Sequence, residues 1–165
     1  MIRHWATAAT LAVLTACLPA TGAAVAPDGL RLVHEDEFSI VFMRDVAPDG
    51  APSDGPIEVM TWTLFDKSGR LTRAWGWDGR ISRLRIDCGA GHMAALHHQT
   101  FVDLEPATAA TPAYRMGPPI GVEKVAVLNH VCSSETDASA ITVPDFAAAR
   151  TWSDQAYLEM KTAGR

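Results

Sequence analysis

Leu84-Arg85-Ile86-Asp87-Cys88 opens, and Val131-Cys132 closes, the stretch around which this chain is organised. The first segment alternates: Leu84, Ile86 and Cys88 point one way, Arg83, Arg85 and Asp87 the other. That is the period of a half-buried antiparallel strand with one wet face. From Gly121 to Cys132 the period changes. Apolar residues fall at Val122, Val125, Ala126, Leu128 and Cys132, near helical spacing, with Pro118-Pro119 just ahead where helices begin. Cys132 is expected on the last turn, on the same stripe as Val125 and Leu128, with Val131 near it. A strand cysteine and a helix-end cysteine are read as a disulfide joining sheet to helix. The alternative is two buried free thiols, which behave as small hydrophobes.

Which alternative holds depends on compartment, and the N-terminus speaks for export. Arg3 and His4 precede an apolar run from Trp5 to Ala16, too short for a bilayer-spanning helix of roughly 20 residues. Residues 1–16 are expected to be a signal peptide. Two processing sites compete. Leu14-Thr15-Ala16-Cys17 is similar to a bacterial lipobox, which would leave Cys17 lipidated; Thr21-Gly22-Ala23 offers a cut after residue 23. The chain has three cysteines. Either cut leaves Cys88 and Cys132 as an even pair for the mature chain. Residues 17–28 read as a small-residue tether.

The remainder suits one domain. Of 165 residues 48% are apolar and 20% charged, enough for a packed core and too apolar for wholesale disorder. A formal net charge of −5 gives no nucleic-acid footprint, despite a local basic segment from Lys67 to Arg85. Strands are expected over Leu30–His34, Phe38–Val46, Ile57–Asp66, Leu71–Trp77, Arg80–Cys88 and Met93–Leu104. Glu35-Asp36-Glu37 reads as a solvated turn, Ala47–Pro56 as a loop, and Asp78-Gly79 as a hairpin signal. Both faces of Ile57–Asp66 are partly apolar, which marks a central strand. Glu105–Pro119 is read as a long loop. Ser133–Val143 reads as a linker. Asp145 is a plausible N-cap for a second helix over 145–161, with Phe146, Ala149, Ser153, Ala156, Tyr157 and Met160 on one face. The fold class is therefore α+β: a small antiparallel sheet of about 5–6 strands packed against one helix in 29–133, with a helical extension in 134–165.

Several of these segments, in this order, resemble one family. A Trp-bearing strand (Val59-Met60-Thr61-Trp62) is followed by Ser82 through Ile86-Asp87-Cys88. A hairpin strand, a Pro-rich approach (Gly117-Pro118-Pro119-Ile120) and a helix ending in Val131-Cys132 complete the pattern. Over about residues 30–133 the chain resembles the surface-adhesin protein E domain of Gram-negative bacteria. The resemblance implies a small antiparallel sheet with one packed helix, a strand-to-helix disulfide, and an exported, often lipid-anchored protein. It also implies a protein ligand, in matrix or envelope, and a capacity to form homodimers. Residues 134–165 extend beyond the family's pattern.

Few residues point to chemistry. His92, His97 and His98 are the only histidine cluster, and on a strand His97 and His98 face opposite sides, a poor grip for a metal. Ser133-Ser134 has no partnered base in sequence. Neither a Gly-x-Ser-x-Gly elbow nor a Gly-rich phosphate loop occurs. Neither an enzyme, a cofactor nor a metal site is expected. For binding, Trp75 and Trp77 with Arg80 and Arg83 form an aromatic–arginine group of the kind found at interfaces. The same group also suits the covered face of a sheet. The expected function is an exported binding module for adhesion or envelope contacts. The competing reading is a periplasmic structural lipoprotein with no external ligand.

Overall fold

The computed structural model describes residues 29–45, 55–112, 114–133 and 141–164. The leader, Cys17, the tether and most of the Ala47–Pro56 loop lie outside them. Seven antiparallel strands form one open sheet in the order β6-β5-β4-β3-β2-β1-β7. They are β1 (Leu30–Glu35), β2 (Ile40–Asp45), β3 (Ile57–Leu64), β4 (Gly79–Asp87), β5 (His92–Val102), β6 (Glu105–Ala110) and β7 (Thr142–Val143). The helices are α1 (Arg70–Trp75), α2 (Val122–Cys132) and α3 (Phe146–Thr162). The class is α+β, with a C-terminal helix.

The alternation of β3 and β4 builds the molecule. Met60, Trp62 and Leu64 face one way and join Leu30, Ile40 and Phe42 under α3, against Ala149, Ala156 and Tyr157. Val59 faces the other way and joins Val41, Met43, Leu84, Ile86 and Met93 under α2, against Val127. A sheet with helices on both faces needs a central strand apolar on both sides, which is what β3 supplies.

Helix α3 starts where the sequence places it. The Asp145 side chain accepts from the Ala148 N–H at 2.8 Å, an N-cap. Ala149, Ser153, Ala156 and Tyr157 are buried on its inner face. Two polar side chains fasten it. The buried Tyr157 hydroxyl donates to the Leu64 carbonyl at 2.9 Å. The buried Arg150 guanidinium donates to the carbonyls of Phe65 and Asp78, each at 3.1 Å. The expected linker Ser133–Val143 lies outside the described residues over 134–140, and its end is no linker: Thr142–Val143 is β7, which pairs Val143 with Leu30 at the sheet edge.

Four further expectations are corrected. Leu71–Trp77 is no returning strand: Arg70–Trp75 is a short helix. The Ser68 N–H bonds the Asp66 carboxylate, the Thr72 hydroxyl bonds the Asp66 carbonyl, and Gly76 at φ 74° stops the helix. These local bonds override strand propensity. Asp78-Gly79 is therefore no hairpin turn, and Gly79 begins β4 opposite Leu64. Glu105–Pro119 is not all loop, since β6 occupies Glu105–Ala110 with every residue exposed. It is held by backbone pairing rather than burial, and its turn uses Asp103 and Leu104, both at positive φ. That conformation leaves no glycine signal to read. Last, α2 does not pack on the sheet by the stripe of Val125, Leu128 and Cys132: Val125 is 40% exposed and Cys132 is exposed, as is Val122, while Val127, Leu128 and Val131 pack on the sheet. Apolar residues nearly all round the helix gave the periodicity no single face to choose.

Cys88 and Cys132 are bonded, with Cα atoms 5.4 Å apart and a sequence separation of 44. The bond holds the C-terminal end of α2 to the turn after β4.

Candidate functional site

The sheet face under α2 is apolar near the disulfide and polar at the other end. Register makes the polar end. Thr63 pairs with Arg80, and Arg80 with Thr100; Thr61 pairs with Ser82, and Ser82 with His98. Two cross-strand rows of polar residues thus lie side by side on the α2 face. The beginning of α2 does not close over them. A cleft of about 220 Å³ remains, walled by Thr61, Thr63, Arg80, Ser82 and His98 on the sheet and by Glu123 and Lys124 on the helix. Its apolar wall is Val41, Leu84, Ala95, Pro112 and Val127.

A β-bulge decides which histidine enters. Arg83 pairs with His97 but Leu84 pairs with Ala95, so Leu96 is the extra residue on β5. Past the bulge the alternation of β5 is inverted. His98, not His97, shares the face of Ala95 and Met93.

Arg80 is the chemical centre of the cleft. Its Nε is buried and has no hydrogen-bond partner, an uncommon state for a charged donor. Burial pulls its pKa below the ordinary arginine value and the nearby Glu123 carboxylate pulls it back up; the group stays protonated at any physiological pH. Among the described residues no carboxylate lies within ion-pair distance of it. Burial, then the charges of Arg80, His97 and Lys124, hold His98 below its usual value. Neutral His98 can accept or donate one hydrogen bond. The Thr61 hydroxyl donates to the Ser82 carbonyl at 3.4 Å.

The aromatic–arginine group does not converge. Trp75 and Trp77 stack on each other at 4.8 Å and both meet Phe65 edge-on, at 5.3 and 5.4 Å. They cover Phe65 at the end of β3. Arg83 lies on the opposite sheet face from Arg80. There it and Arg85 pair with Glu58, whose pKa is lowered by the Arg85 hydrogen bond, with Arg83 adding to it. Only Arg80 of the four reaches the cleft. The polar partners Thr61, Thr63, Ser82 and His98 were not singled out from sequence as binding residues. A signal was present: Thr61 and Thr63 are hydroxyls on the face of β3 that Val59 marks as covered.

Among the described residues no group of three or more His, Cys, Asp or Glu is placed to hold a metal ion. No described helix is long and apolar enough to cross a membrane. Outside the cleft, Val122 and Val125 on α2 and Ile120 just ahead of it are exposed apolar residues. Comparison with known proteins returned no match to any family model, any curated protein or any solved structure.

Proposed function

We propose that this chain is an exported, non-catalytic binding module of the bacterial envelope, of the surface-adhesin protein E type, and that it binds through the cleft between α2 and the sheet. The observation that carries the reading is the buried Arg80 Nε with no partner, set among the hydroxyls of Thr61, Thr63 and Ser82. A buried donor left unmade costs about 1–3 kcal/mol, and among the described residues no carboxylate pairs with this guanidinium to offset it. The leader-like N-terminus and the Cys88–Cys132 bond support an oxidising location. Nucleic acid is not among its ligands, and lipidated Cys17 would be its tie to a membrane.

The test is a ligand-observed NMR screen of a low-mass library against the oxidised protein, repeated on Ala95→Phe, which fills the cleft. Circular dichroism checks that the variant is folded. We expect binders that the variant no longer holds. A screen without binders, or binders that Ala95→Phe retains, overturns the cleft reading. Free thiols at Cys88 and Cys132 in protein taken from the native cell overturn export.

A further inference from the structure

We infer that the cleft selects a small carboxylate carried on a short apolar body, with the carboxylate seated on Arg80. The inference rests on the cleft being the binding site and adds the chemistry of what enters it.

Size comes first. About 220 Å³ falls below the roughly 300–1,000 Å³ of sites for drug-sized ligands. That size suits a molecule of a few carbons, or one short group of a larger ligand.

Charge comes second. Among the described residues the lining cations are Arg80 and Lys124, and the one lining carboxylate is Glu123. With His98 neutral, one net positive charge is left at the polar end. A guanidinium presents its N–H groups as a planar fork that matches a carboxylate. One guanidinium and one net charge suit a monoanion. A phosphate dianion calls for more cations or a nest of backbone N–H groups, and among the described residues the wall adds only Lys124 to Arg80 as a cation, with Pro112 as its one loop residue. Hydroxyls of Thr63 and Ser82 beside Arg80 can donate to the second carboxylate oxygen.

Polarity comes third. Val41, Leu84, Ala95, Pro112 and Val127 form the apolar wall. A ligand polar all over would leave its far end without partners there, whereas an alkyl or aryl tail removes apolar surface from water. The two ends of the cleft therefore specify the two ends of the ligand.

The experiment is a ¹H–¹⁵N NMR titration of the oxidised protein with butyrate and benzoate, with butyramide and benzamide as neutral isosteres, and with inorganic phosphate. We expect the acids to shift the amides of Thr61, Arg80, Ser82 and Val127, and to bind about tenfold tighter than the amides. Arg80→Gln removes that preference and Arg80→Lys keeps part of it; unchanged shifts elsewhere confirm that both variants are folded. Glu123→Gln, which removes the carboxylate competing for Arg80, tightens butyrate binding. Equal binding of acids and amides at the cleft overturns the carboxylate inference and leaves the cleft as a binding site. So does binding of phosphate in preference to the acids, or a Glu123→Gln variant that binds butyrate no better. If none of the five probes moves a cleft amide, the inference falls, while the library screen above decides the cleft reading separately.

Discussion

Replacing Arg150 by Met tests whether α3 is fastened to the sheet by charge as well as by apolar contact. The Arg150 side chain is 4% exposed and that of Asp78, 3.8 Å away, is 6% exposed. The guanidinium also bonds the Phe65 and Asp78 carbonyls and the Asp154 carboxylate. Met keeps most of the volume but leaves the Asp78 carboxylate buried with only the Asp103 N–H near it, at 3.2 Å. Removing one member of a buried pair costs about 3–5 kcal/mol. That is a large share of the 5–15 kcal/mol that holds a typical domain folded. At an m of about 2 kcal/mol/M the urea midpoint falls by about 2 M, and Tm falls by roughly 10–25 °C. Tryptophan fluorescence is the probe, because Trp62 lies under α3 and Trp152, on α3, packs edge-on against Phe42. Adding Asp78→Asn should restore part of the loss, since the amide oxygen still accepts from Asp103 and no charge is stranded. A loss below about 1 kcal/mol for Arg150→Met would refute the reasoning. No recovery in the double variant would move the cost from the carboxylate to the two carbonyls.

Two further predictions concern the covalent tie and the cleft. Cys132→Ser opens a loop of 44 positions, whose closure is worth about 4 kcal/mol in the chain-entropy model; calorimetry should show a Tm drop far beyond that of a surface Ser substitution, and an unchanged Tm would refute it. His98 has a folded pKa below its ordinary 6.5, so the unfolded chain binds the proton more readily. Its contribution is fully present above pH 6.5 and is lost as pH falls through the depressed folded value. Urea midpoints measured from pH 8 to pH 5 should therefore decline less in His98→Gln than in the parent, and parallel profiles would count against a partly desolvated His98.

Alternation and local end signals are short-range properties, and they carried the fold class. Ile57–Leu64 and Leu84–Cys88 declare both of their faces, and Asp145 declares where α3 begins, because each such statement needs only residues within a turn or two. The even pair Cys88 and Cys132 named its own bond, given an oxidising compartment. Three things waited for the tertiary structure. Residues 122–132 are apolar nearly all round, so only docking and the bond at Cys132 chose Val127, Leu128 and Val131 as the inner face. Strand β6 has little side chain to bury, and only pairing with β5 makes Glu105–Ala110 a strand. Finally, one extra residue at Leu96 inverts the second half of β5 and puts His98 across from Ser82. A bulge is a property of two strands in register, which no single segment encodes, and here it sets which side chains face Arg80.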